Sequence, residues 1–330
     1  MKTVMRKSTA RKQKGLSLVE IMIAMLLGLF LTGGIMQIFA SSRMTYKVHE
    51  ATSRMQETGR MAVEVLARDI RMADFWGCAS DVSNVVNNLD SGGGAGFVDF
   101  TSGGVLGTDG GSAPDSLVLR GGVDLDLSVE PPYGPLSSAV IKVPSNSLSQ
   151  GDIVFASDCT GADIFQITNS NPDSGVLVHN TGAAVSPGNL NVTNPLCPGS
   201  NKHCLSRIYG ADAKIMLPQE ITYNIGTGSE GQPALFRNGE EFLDGVEDLQ
   251  LLYGEDTDGS GVANYYVPAN QVTDMGSVIS IRFAVVARSY DDNLTGGIKQ
   301  SYSVLGDNRT AVDNRLRQVY TTTVTVRNRL

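Results

Sequence analysis

The feature that most constrains this chain is one charged side chain, Glu20, at the head of an apolar stretch that runs to Ala40. Residues 21–40 contain no Asp, Glu, Lys or Arg. A helix needs about 20 such residues to cross the hydrocarbon of a bilayer. A charge inside a helix of that kind costs roughly 2.5–3.5 kcal/mol on insertion scales, so Glu20 is expected to have a partner or a task. Ahead of it, Lys2, Arg6, Lys7, Arg11, Lys12 and Lys14 stand in residues 1–14 with no acid among them. Such a basic leader is retained on the cytoplasmic side by the positive-inside rule. A cleaved secretory signal has an apolar core of roughly 7–15 residues. This run is longer, and is read as a membrane helix kept on the mature chain. A plain anchor explains its length but leaves Glu20 unexplained.

Within the run, Gly28, Thr32, Gly33 and Gly34 interrupt larger apolar residues, and small residues let helices approach closely in a membrane. The Gly33-Gly34 pair marks either a bend or a tolerated weak spot. Beyond Ser41 the helix is expected to continue. Met44, Val48, Ala51, Met55, Thr58, Ala62 and Val65 recur at steps of four and three, an apolar-to-small stripe with charged residues mostly on the other faces. The stripe has too little bulk for a free coiled coil and suits packing on the chain's own domain or on neighbouring helices. The pattern fades near Met72 and Gly77 ends it. At 1.5 Å per residue, residues 16–76 would make a helix of roughly 90 Å.

Residues 77–114 change character: Gly92-Gly93-Gly94, Gly103-Gly104 and Gly110-Gly111 punctuate short apolar pairs, which reads as a loop region. It is not a phosphate-binding loop, because no lysine lies between Lys47 and Lys142. From 115 to 330 the signals are β. Stretches 116–120, 139–143, 152–156, 176–179, 221–225, 278–288 and 319–327 are rich in Val, Ile, Thr and aromatics and bounded by Gly, Pro, Asn and Asp. No helix-length segment separates them, so the sheet should be largely antiparallel. The expected class is α+β: one long amino-terminal helix packed on an antiparallel β domain.

The formal charge of −8 conceals the leader. Without its six cations the chain has 20 basic side chains against 34 acidic, which argues against nucleic acid as a partner. Four cysteines, Cys78, Cys159, Cys197 and Cys204, lie beyond the apolar run. An even count in an exported domain points to disulfides, with three connectivities. Cys197 and Cys204 flank a Pro198-Gly199-Ser200-Asn201 turn and could close a small loop, which would leave Cys78 to Cys159. Zinc is the rival, but the spacings with His179 or His203 fit no standard finger.

Asp256, Asp258, Ser260 and Asn264 match the first, third, fifth and ninth positions of a calcium loop, with Gly261 at the sixth. The twelfth is Val267 where a bidentate Glu is needed, so an ordinary hairpin turn is the first reading and weak calcium binding the second. No Gly-x-Ser-x-Gly elbow and no His-Glu-x-x-His occurs. Glu240-Glu241 and Asp291-Asp292 sit in turn-like contexts. The chain reads as structural and not as an enzyme.

Lys14-Gly15-Leu16-Ser17-Leu18-Val19-Glu20 resembles the motif of type IV prepilins and type II pseudopilins. The resemblance implies that a dedicated peptidase cuts after Gly15, that Leu16 becomes the N-methylated first residue, and that Glu20 is the family's assembly glutamate. The chain would then divide into a removed leader (1–15), a helix (16–76) with its membrane part at 21–40, a Gly-rich loop region (77–114) and a β domain (115–330). Residues 245–254, 277–289 and 321–327 resemble segments of PilW-type minor pilins. That family implies a subunit that helps initiate type IV pilus assembly and enters the filament at or near its tip. Its partners would be other minor pilins, the major pilin, the prepilin peptidase, the inner-membrane assembly platform and a large tip adhesin. The β domain would lie in the periplasm before assembly and outside the cell after it. Two alternatives follow: a minor pseudopilin of a type II secretion system, and a membrane-anchored periplasmic enzyme or binding domain.

Overall fold

A computed structural model describes residues 15, 17–78, 84–92, 97–100, 103–133, 138–181, 185–190 and 204–329. Helix α1, Leu18–Met72, is the one long helix among them. By contacts the chain divides into a unit up to Thr52 and a second from Ser53 to Leu330.

In the first unit α1 stands without a core. Leu18, Val19, Met22, Leu26, Leu29, Phe30, Ile35 and Phe39 are all exposed, and its apolar window is long enough to cross a membrane with none of it buried. The helix runs unbroken through Gly33 and Gly34, whose missing Cβ atoms would meet nothing. Thr32 donates from its hydroxyl to the Gly28 carbonyl at 2.7 Å. That bond satisfies its polar atom within the helix, as a helix crossing a bilayer would require.

In the second unit the rest of α1 lies on β structure. Its buried residues are Met55, Gly59, Ala62, Leu66, Ala67, Asp69 and Ile70. The expected stripe of 55, 58, 62 and 65 is thus replaced by 55, 59, 62 and 66. A straight helix drifts by about 20° per heptad from a 3.5-residue repeat, and α1 packs on a sheet and not on a supercoiled partner, so the buried face follows 3.6. The helix stops at Met72, short of the expected 76. Asp74 is left-handed (φ 61°), and its N–H donates to the Arg120 carbonyl at 2.7 Å, taking the chain off the helix and onto a strand.

Seventeen strands are described. The largest sheet contains β1 (Val85–Asn87), β2 (Val105–Thr108), β3 (Ser116–Ser128), β5 (Ile153–Asp158), β6 (Gly161–Gln166), β9 (Lys214–Thr227), β10 (Pro233–Arg237) and β11 (Glu240–Asp244). Strand β9 is its spine, pairing β3 along one edge and β5 then β10 along the other. A four-stranded sheet runs in the order β13 (Tyr265–Val267), β12 (Val246–Glu255), β14 (Val278–Arg288), β17 (Arg317–Thr325). Strands β4 (Val140–Lys142), β8 (Val176–Val178) and β7 (Asn169–Asn171) form a small sheet, and β15 (Ser301–Val304) with β16 (Asp307–Thr310) a hairpin. Among the described ladders only β1 with β6 is parallel, so the α+β, largely antiparallel expectation holds.

The Gly-rich stretch is not loop throughout, since β1 and β2 fall inside it. Their apolar pairs, Val85-Val86 and Val105-Leu106, are too short to be seen as strands without a neighbour to pair with. Ala62, Leu66 and Ile70 of α1 enter a core shared by both main sheets, with Leu117, Tyr223 and Leu235 from the larger and Leu251, Ile281, Phe283 and Val324 from the smaller. Burying a side chain the size of Leu66 or Ile70 stabilises by about 1.5–3 kcal/mol, so this helix segment is integral to the domain.

Candidate functional site

The start of α1 holds the residues with the sharpest expectations. Gly15 is exposed, with nothing within 4 Å of where a Cβ would stand. Leu16 lies outside the described residues. Glu20 accepts the Ser17 N–H at 2.9 Å on Oε2, while Ser17 Oγ accepts the Glu20 N–H at 3.2 Å. This reciprocal pair is a capping box, in which Ser at the cap and Glu three residues on each satisfy an orphan donor of the first turn. The carboxylate therefore has a donor from its own chain, at the end of the helix where negative charge is favoured. Sequence reading passed over Ser17, although the Ser-x-x-Glu spacing was there to be seen.

A second set of contacts fixes the later part of α1 to the sheets. Asp69 is buried on the helix, and its Oδ2 accepts the Tyr223 hydroxyl at 2.6 Å and Arg237 Nη2 at 2.9 Å. Burial first, then the hydrogen bond to Asp69, raises the Tyr223 pKa well above the usual phenol range. At the helix exit Asp74 accepts Trp76 Nε1 at 2.8 Å and is paired with Arg329. Asn328 Nδ2 donates to the Ala73 carbonyl at 2.8 Å. Gly59 makes room for Tyr320: a Cβ there would lie 2.0 Å from Tyr320 Cε2. The Tyr320 hydroxyl donates to the Met55 carbonyl at 3.0 Å. None of these partners was singled out in the sequence, because a carboxylate or glycine on a helix shows its role only once the buried face is known.

Cys78 and Cys159 are joined, closing a sequence separation of 81 residues. Cys204 is also disulfide-bonded; Cys197, its expected partner, lies outside the described residues, as does His203. The ring of His179 is buried beside Phe165, 5.0 Å between centroids. Glu240 and Glu241 are exposed on β11, and Glu241 accepts the Ser229 N–H at 2.7 Å. Asp291 and Asp292 are exposed, and Asp292 accepts the N–H groups of Asn293 and Asn314.

The loop between β12 and β13 brings Asp256, Asp258, Ser260 and Asn264 together through their own hydrogen bonds. Asp256 accepts the N–H of Ser260 at 3.1 Å and of Gly261 at 2.7 Å. Asp258 accepts the Ser260 N–H at 3.1 Å and Asn264 Nδ2 at 3.2 Å, while Asn264 Oδ1 accepts the Thr257 N–H at 2.7 Å. The bonds from Ser260 and Asn264 lower the Asp258 pKa to about 2. The donor set therefore fits a self-capped turn, since the oxygens a cation would take are committed to N–H groups of the loop. Among the described residues no three acids, histidines or cysteines are grouped to hold a metal.

Residues 10–36 match the model of the prokaryotic N-terminal methylation motif, and residues 222–328 match that of type IV pilus-assembly protein W. Neither a curated protein nor a solved structure matches the chain. The second match contains Tyr223, Arg237, Tyr320 and Asn328, the side chains that grip α1. The first contains Gly15, Ser17 and Glu20. With a long apolar amino-terminal helix and a mostly antiparallel β domain, the two matches make the chain similar to type IV prepilin-like proteins and, over 222–328, to the pilus-assembly protein W family.

Proposed function

We propose that the chain is a minor pilin that helps initiate type IV pilus assembly and is incorporated at or near the filament tip. The observation that carries this reading is the division of labour along α1. Its first part offers an exposed apolar surface headed by Glu20, and its later part is gripped by the strands that match the pilus-assembly family. An exposed apolar helix is stable in a bilayer or against other such helices, and exchanging one for the other is what assembly from a membrane requires. Its partners are the other minor pilins, the major pilin, the prepilin peptidase that cuts after Gly15, the assembly platform and a tip adhesin. The β domain lies in the periplasm until assembly. The amino-terminal motif is shared with type II secretion pseudopilins, and the match over 222–328 is what favours the pilus.

Glu20 is the residue that separates a subunit from an anchor. Cleavage before Leu16 would free an amine that N-methylation leaves cationic, four residues before Glu20 in the chain. Pairing that amine with the Glu20 of a neighbour rewards correct axial register. Glu20→Val should spare insertion and cleavage yet lower the ratio of this subunit to the major pilin in sheared fibres. Deleting the gene should reduce the number of surface fibres. An unchanged fibre number in the deletion strain contradicts a role in initiation.

A further inference from the structure

We propose that residues 326–329 form a latch that ties the exit of α1 to the smaller main sheet, and that this latch opens and closes as a unit of its own, apart from the unfolding of the sheets. At its exit the chain is already bound to the larger sheet through its backbone. The Asp74 N–H donates to the Arg120 carbonyl at 2.7 Å, and the Gly122 N–H to the Phe75 carbonyl at 2.6 Å, so both bonds run to β3. The latch is bound to the smaller sheet. The Val326 N–H donates to the Ile279 carbonyl at 2.8 Å, and Arg329 Nη1 donates to the Val278 carbonyl at 2.8 Å and to that of Met275.

What joins the two attachments is a short set of side-chain contacts. Arg329 Nε pairs with the Asp74 carboxylate. Asn328 Nδ2 donates to the Ala73 carbonyl at 2.8 Å and to that of Met72 at 3.3 Å. The last carbonyls of a helix have no partner within it, and here they are capped by a side chain 255 residues further along the chain.

Three features set this latch apart from the core. Its contacts are polar: Val326 is fully buried, but Arg327 is exposed and Asn328 and Arg329 lie outside the hydrophobic cluster. Its closed state is incompletely satisfied, because Arg329 Nη2 is buried without a hydrogen-bond partner. The lost hydration of that donor offsets part of the gain from the Asp74 pair. Finally, the other side of the exit is open. A groove of about 550 Å³ runs there, lined by Arg68, Met72, Phe75 and Gly121 among others, and Met72 is exposed. The last turn of α1 therefore has room to move once Asn328 and Arg329 let go. Closure also has an order. The latch continues from β17, so it reaches α1 only after β17 has paired with β14, and pairings this distant in sequence form late. Until then the exit is held by the larger sheet alone. The proposal concerns how the domain locks onto its helix, and does not rest on the pilus reading.

The test is amide exchange on the full chain in detergent micelles. In the wild type, the amides of residues 69–72 of α1 and the amide of Arg329, which donates to the Val326 carbonyl, should exchange through one shared opening. That opening should be at least about tenfold more frequent than the one that exposes the β12–β14 ladder around Leu251 and Phe283. Arg329→Gln should speed exchange at 69–72 by at least about tenfold and change the ladder amides by less than about twofold. Asp74→Asn, which suits the left-handed backbone there, should do the same. The double variant should exchange no faster than the faster single one, because both substitutions break one contact. The proposal is overturned if 69–72 and the ladder exchange at equal rates in the wild type, or if Arg329 opens independently of 69–72. Variants that leave 69–72 unchanged, speed both regions alike, or act additively overturn it as well. Should a variant fail to fold, the wild-type comparison decides by itself.

Discussion

Asp69 is a carboxylate on the buried face of a helix, and the Tyr223 hydroxyl and the Arg237 guanidinium both donate to it. Removing one member of a buried pair strands the other, at a cost of about 3–5 kcal/mol, far more than the pair itself contributes. Asp69→Ala should therefore lower the unfolding free energy by an amount in that range. Tyr223→Phe, which leaves Asp69 its arginine, should cost only about 0.5–1.5 kcal/mol. Urea titration of both variants checks the order, and equal losses would contradict it. A different acid governs behaviour at low pH. The hydrogen bond from Arg317 Nη1, 2.6 Å long, lowers the Asp313 pKa to about 2. An unfolded aspartate titrates near 3.9. Because the folded value is the lower, the stabilisation is complete above pH ~4 and is lost as pH falls toward 2. Asp313→Asn should lower stability above pH ~4 and flatten its dependence on pH in that window, which thermal melts from about pH 2 to 7 check. Neither acid stood out in the sequence. Asp69 reads there as one more charge beside Arg68, and Asp313 as one of several turn residues.

At the scale of elements, α1 meets the sheets through a missing side chain. Alanine favours a helix over glycine by about 1 kcal/mol, so propensity alone predicts that Gly59→Ala stabilises. The Tyr320 ring fills the place of that Cβ, so the substitution should instead destabilise by about 1–3 kcal/mol through overpacking. Adding Tyr320→Ala should make the second substitution cheaper than it is alone, the non-additivity expected of residues in contact. The hairpin of β12 and β13 allows the opposite kind of test. If its aspartates cap the turn, Asp256→Ala lowers the melting temperature equally in millimolar calcium and in chelator. A loss confined to calcium would show a bound ion. Long periodic elements were legible beforehand: the helix, and strands such as β14, expected at 278–288 and found at Val278–Arg288. Strand β6, whose Gly161-Ala162-Asp163 opening carries no β-branched residue, was not. The fully buried Asp163 there is held by Ser206, Tyr209 and Asn88, partners up to 75 residues away in sequence that no local pattern reveals.

Over the whole molecule the Cys78–Cys159 bridge joins the segment after α1 to the turn between β5 and β6. Closing a loop of that length is worth about 2–5 kcal/mol through the unfolded state. Reduction, or Cys78→Ser with Cys159→Ser, should lower the melting temperature while leaving α1 helical by circular dichroism. The two ends of the chain were the readable parts, because a charge in an apolar run and a threonine-rich terminal strand are unusual by themselves. The middle was not, because its strands are short and take their order from β9, whose first half, Lys214 to Glu220, includes a proline and a glutamate. The central claim is that this chain is processed after Gly15 and built into a pilus. Intact-mass analysis of the subunit recovered from sheared, purified fibres tests it most directly. The account predicts a minor species beginning at N-methylated Leu16, present at a small fraction of the major pilin. Fibres that lack the chain, or a chain beginning at Met1 or beyond Ala40, would contradict it.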